Sequence, residues 1–157
     1  MKKQFAFILF YLVPCLWAGV VLGAGVLAVF AVFDVPENQK VFAYAAAARV
    51  FERLSTIEWG FLGLLLLSSA VLGFPPKRTF FAVTVSGVFL IQDLWLHPSL
   101  AARTAILVNG GQLEPSLIHP IFAGLTLIKL TLLFGISFSA LNIQRSCLDR
   151  AVFAPSK

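Results

Sequence analysis

From Phe5 to Phe33 the chain runs without a charged side chain, and this stretch limits what the rest can fold into. About 20 apolar residues carry a helix across the hydrocarbon core of a bilayer. The run is longer, so a helix built from it must tilt, kink near Pro14 or project beyond the bilayer. The preceding Met1-Lys2-Lys3-Gln4 has the outline of a signal-peptide start. The apolar core of such a peptide is only about 7–15 residues, roughly half of this run. Leu12-Val13-Pro14-Cys15 has the order of a lipoprotein cleavage box, but proline directly before the cysteine and the apolar stretch beyond it argue against processing. The segment is expected to be a retained membrane span. Gly19 and Gly23, four apart, give it a face for close approach of a second helix, from this chain, another copy or another membrane protein.

Composition extends the reading to the whole chain. Its 157 residues are one domain by length. Hydrophobic residues make up 59% and charged residues 12%, about half the charged share of a soluble domain; mean hydropathy is +0.92. Sixteen Phe, with many Leu, Val and Ala, cannot all be buried in a soluble core this small, so lipid is expected to cover part of the surface. The net charge of +5 is spread over termini and short loops. It reads as an orientation signal and headgroup attraction, not a nucleic-acid footprint. Cys15 and Cys147 lie far apart with no CxxC spacing, against a disulfide framework or a cysteine zinc site.

Three further spans follow. Asp34-Val35-Pro36-Glu37-Asn38 turns the chain. Residues 41–54 place Val41, Phe42, Ala45, Val50, Phe51 and Leu54 against Arg49, Glu52 and Arg53, the pattern of an amphipathic helix at a membrane surface. Ser55-Thr56-Ile57-Glu58 matches a capping box, which starts the second span at 55–74. Pro75-Pro76-Lys77-Arg78 is a tight basic connection to the third span, 79–97. Ser99 to Val108 can continue it as helix until Asn109-Gly110-Gly111. Ser116 caps the fourth span, 117–143, and 144–157 forms a polar tail. With the N-terminus in the cytoplasm, Lys2, Lys3, Lys77, Arg78, Arg145, Arg150 and Lys157 fall inside, and Lys40, Arg49, Arg53 and Arg103 outside. The positive-inside rule favours that orientation.

In this topology the polar residues gather towards one end. Asp93 and His97 are four apart and share a face of the third helix. His119 and Glu58 sit near the starts of the fourth and second spans, with Arg53 and Arg103 within reach. Lys129 is the deepest charge, ~18 Å into its helix; it must pair, deprotonate or snorkel. Asp93 or Glu58 is its natural partner. Asp93, Lys129 and Glu58 are therefore the candidates for a structural ion pair or for proton and ion handling. His97, His119 and Asp93 are candidate ligands for a transition metal or haem, since imidazole and carboxylate from facing helices suit such ions. Capping by Glu58 and interfacial anchoring by the histidines are the alternatives. No nucleophile–base pair, phosphate-binding glycine loop or nucleic-acid motif is present.

Trp17-Ala18-Gly19, Arg49-Val50-Phe51-Glu52-Arg53-Leu54, Leu96-x-Pro98 with Arg103 after it, and His119 resemble elements of a known family. Over most of residues 12–141 the chain resembles the small bacterial membrane proteins of domain of unknown function 4149, which are similar to the eukaryotic transmembrane protein 205 group. The resemblance implies a four-helix membrane fold and no particular reaction. The chain departs from the family pattern at Phe33-Asp34-Val35-Pro36, and at Thr126 and Lys129, where the family tends to carry an amide. More distantly it is similar to haem-binding and copper-handling four-helix membrane proteins, which depend on a first-helix histidine that this chain lacks.

The expectation is an all-α, up-down four-helix membrane bundle with an extra amphipathic surface helix, in a bacterial inner membrane with both termini cytoplasmic. Function is expected to be that of a non-enzymatic accessory or interaction protein. The alternative is a metal-, haem- or proton/ion-handling protein using the polar cluster; a lipid-modifying enzyme has no motif behind it.

Overall fold

The computed structural model describes residues 2–73, 76–112 and 114–152, and the side chains of these except 2, 3, 37, 76–78 and 140–152. Four long helices form an up-down bundle. The first helix, residues 2–33, holds Pro14 inside its Lys2–Val20 portion and widens to a π-helix over Val21–Leu27. A single 3-10 turn, Glu37–Gln39, reverses the chain, closed by Gln39 N–H donating to the Pro36 carbonyl. Phe33 packs on Tyr44 across this turn at 5.2 Å.

The second helix, Lys40–Val71, is continuous, and here the structure corrects the sequence reading. Neither a separate surface helix at 41–54 nor a helix start at Ser55 exists. No glycine or proline interrupts Lys40 to Trp59, and the stretch is rich in alanine and other strong helix formers, so nothing stops propagation. Ala43, Ala47 and Leu54 are buried, which makes this portion part of the bundle, packed on the first and third helices. Arg49, Glu52 and Arg53 stay exposed.

Gly73, at φ +78°, ends this helix in the left-handed region that glycine adopts freely. The third helix spans residues 76–108 with a π-helical turn at Gln92–Leu96. The π turn ends two residues before Pro98, whose ring would clash with the i−4 carbonyl of a regular α-helix. Gly110 (φ +78°) closes a Schellman motif: Gly111 N–H donates to Ile106 O and Gly110 N–H to Leu107 O. The fourth helix, Ile118–Val152, opens on Ser116, whose hydroxyl accepts from Ile118 N–H at 3.2 Å. It continues as helix through residues 144–152 of the expected tail. Residues 153–157 of that tail, Phe74 at the end of the expected second span and Pro75 of the basic connection lie outside the described residues.

The first helix packs on the second and fourth, and the third completes the ring. Trp17, Leu65, Val85, Phe89 and Leu133 form the centre, each at most 1% exposed. Trp17 stacks on Phe61 and meets Phe89 edge-on at 5.8 Å, which joins the diagonal pair. The expected close approach at Gly19 and Gly23 does not occur within the chain: both are exposed, and a Cβ at either would touch nothing within 4 Å. Gly25 takes that role, where a Cβ would lie 3.0 Å from Leu54 Cδ2. All four helices are long and apolar enough to cross a membrane. Their outward faces carry Phe5, Phe30, Phe80, Leu127 and Phe138, each more than 60% exposed, consistent with residence in a lipid bilayer.

Candidate functional site

The continuous second helix puts the residues of the apparent capping box on faces directed at its neighbours. Glu58 points into the core at 6% exposure and Lys129, from the fourth helix, meets it at 3%. Lys129 Nζ donates to Glu58 Oε1 at 2.5 Å, and Trp17 Nε1–H donates to the same oxygen at 2.7 Å. Phe89 of the third helix presents its ring to the ammonium, 5.6 Å from Nζ to the centroid. All four helices contribute to one charge pair. Desolvation of two ions is costly, and their attraction offsets it only when hydrogen bonds complete the geometry; the indole supplies one of these.

About one helical turn away, Asp93 forms a second node. Its Oδ1 accepts from the Ser55 hydroxyl and its Oδ2 from Trp59 Nε1 at 2.9 Å. His97 Nδ1 lies 3.6 Å from Oδ1. Gln92 turns to the fourth helix, where Nε2 donates to Phe122 O and to Thr126 Oγ1 at 3.2 and 2.9 Å. Its Oε1 is buried and has no hydrogen-bond partner among the described residues. The π turn contributes to this arrangement: His97 N–H reaches back five residues to Gln92 O, which sets Gln92 and Asp93 towards different neighbours.

The structure thus joins Glu58 to Lys129 and places Asp93 beside His97. His119 is exposed at the start of the fourth helix. Among the described residues no three His, Cys, Asp or Glu gather as a metal-holding group, so the His97–His119–Asp93 set is not assembled. Arg103 donates to the Glu114 carbonyl at 2.5 Å and so fastens the loop before the fourth helix. Sequence reasoning missed Trp17, Ser55 and Trp59 as donors. The available signal was the spacing of Ser55 and Trp59, four apart on one face, opposite a carboxylate that needed partners.

Beyond the Asp93 node, towards the end with the Glu37–Gln39 turn, an open groove of about 310 Å³ separates the second and third helices. Ala48, Pro98 and Ala101 supply its apolar lining, and Arg49, Glu52 and His97 its polar lining. No family model matches the chain, and no curated protein or solved structure matches it.

Proposed function

We propose that the chain is a multi-pass inner-membrane protein of a bacterium that acts by holding a fixed shape for a membrane partner, as an accessory or interaction subunit without a reaction of its own. One observation carries the reading. The buried charges are consumed by each other, with Glu58 Oε1 shared by Lys129 and Trp17 and both Asp93 oxygens occupied. A network of this kind fixes helix register and rotation, which is the best-attested use of buried polar groups. Resemblance to the domain of unknown function 4149 proteins, through Trp17, the Arg49–Leu54 stretch and His119, belongs to the same proposal. The test is purification of the wild type and of Asp93→Asn and Lys129→Met from membranes. The accessory reading expects lower thermal stability and loss of co-purifying membrane protein. Ion flux in reconstituted vesicles that the substitutions abolish while the fold stays intact would replace it.

That second outcome has its own support. Gln92 Oε1 is a buried acceptor without a donor among the described residues, in a π-helical turn of the sort that recurs at functional sites, next to Asp93 and His97. Under this reading the acceptor receives a water or a hydrated proton on its way to Asp93.

A further inference from the structure

The groove between the second and third helices is distinct from the buried charge pair, and its chemistry is specific. Arg49 and Glu52 are three apart on one helical face, both exposed, and among the described residues neither forms an ion pair. A cation and an anion are therefore presented together over a lining of Ala48, Pro98 and Ala101, with His97 between them and Asp93. The level of the groove is also marked. Trp59 and Trp95, 44% and 64% exposed, lie on these same two helices, Trp59 two turns beyond Glu52 and Trp95 two residues before His97, and tryptophan gathers where acyl chains give way to headgroups. One and two turns before Pro98 the third helix exposes Leu94 and Ile91, apolar surface that an acyl chain can follow.

We propose that this groove binds the headgroup of a zwitterionic aminophospholipid of the phosphatidylethanolamine type. Arg49 holds the phosphate, and the His97 ring lines the groove beside it. Glu52 accepts from the primary ammonium. The volume, at the small end of ligand sites, suits a headgroup whose chains lie outside it. A purely anionic headgroup would leave Glu52 facing like charge. A choline headgroup would offer it no N–H donor. Amine recognition therefore lies with Glu52 and phosphate recognition with Arg49.

The inference rests on the membrane reading above, so the experiment separates the two. The full chain is reconstituted in vesicles of equimolar phosphatidylethanolamine, phosphatidylcholine and phosphatidylglycerol, extracted in mild detergent, and its retained lipids counted by native mass spectrometry. The wild type should retain phosphatidylethanolamine over phosphatidylcholine by about fivefold, the ratio that one partly exposed charge contact supports. Glu52→Gln should erase that preference, and Arg49→Gln should lower retention of both lipids. Circular dichroism unchanged from wild type shows that these exposed substitutions leave the fold in place. Equal retention of the two lipids by the wild type, a preference for phosphatidylglycerol, or a preference that survives Glu52→Gln each overturns the headgroup site. A chain recovered outside the vesicles overturns the membrane reading itself.

Discussion

At the scale of single residues, Lys129 shows how far depth in a helix constrains chemistry. A lysine ~18 Å into an apolar helix needs a partner, and the sequence supplied two carboxylates. Which of them it meets depends on the rotation of the second helix, and that rotation is hidden as long as Ser55 and Glu58 are read as a helix start. A capping box and a laterally bonded Ser/Glu pair have the same letters; the absence of a break before Ser55 distinguishes them. With Glu58 inside the helix, Lys129→Met leaves a buried carboxylate with only an indole donor. It should destabilise the protein by about 3–5 kcal/mol, the usual cost of removing one partner of a buried pair. The double substitution Glu58→Leu with Lys129→Met should recover most of that loss in detergent unfolding. A double variant as unstable as the sum of the singles would show that the two side chains do not act as a unit. Trp17→Phe should cost about 1–3 kcal/mol through the lost donor to Glu58, seen as a lowered Tm.

At the scale of elements, the four apolar helices were legible because their length and lack of charge leave few alternatives. The extent of the second was not, since its polar first half reads as a surface element until its alanines are found packed. Ala43 and Ala47 are small enough for neighbouring helices to approach, and size carries no periodic hydropathy signal of the strength that leucine gives. The glycines teach the same lesson. Gly19 and Gly23 have the recognised spacing and open surroundings, whereas Gly25 has the contact. Gly25→Leu should therefore destabilise the bundle by about 1–3 kcal/mol through overpacking against Leu54, while Gly19→Leu with Gly23→Leu leaves monomer stability close to wild type. Chemical denaturation of the three proteins in the same detergent reads this directly. A double glycine variant that unfolds as readily as the Gly25 variant would place the close approach where spacing alone puts it.

For the whole molecule, the second helix is ~48 Å long at 1.5 Å per residue, well beyond the ~30 Å hydrocarbon core. The exposed Trp59 and Trp95 suggest which part is immersed, with the end carrying Arg49, Glu52 and Arg53 standing clear of the acyl region. With both termini in the cytoplasm, as the positive-inside rule leads one to expect, that end faces away from the cytoplasm. Reporter fusions after residue 77 should be active only in a cytoplasmic reporter, and fusions after residue 111 only in an exported one; the reverse pattern would invert the molecule. Orientation was the least structural of the sequence readings, because it depends on charges at the chain ends and loops and not on packing. The candidate site lay in between. Its charged members could be named from the sequence, while the indoles and hydroxyl that bind them required the assembled bundle.

The π turn at Gln92–Leu96 makes a further demand on the gene. A π turn has the hallmark of one residue too many for an α-helical repeat, so deleting a single codon there would restore regular geometry and, on local grounds, look harmless. The portions before and after the deletion would stay in phase, because the π turn holds its extra residue within one wider turn; the change would instead bring His97 to three residues from Asp93 and put the Pro98 ring against a regular α-helical carbonyl. Reading-frame-preserving loss of one amino acid should thus spare the packing of both ends of the third helix and be felt locally, at Pro98 and at the Asp93–His97 spacing, so the irregularity is the room that lets a proline sit inside a membrane-length helix.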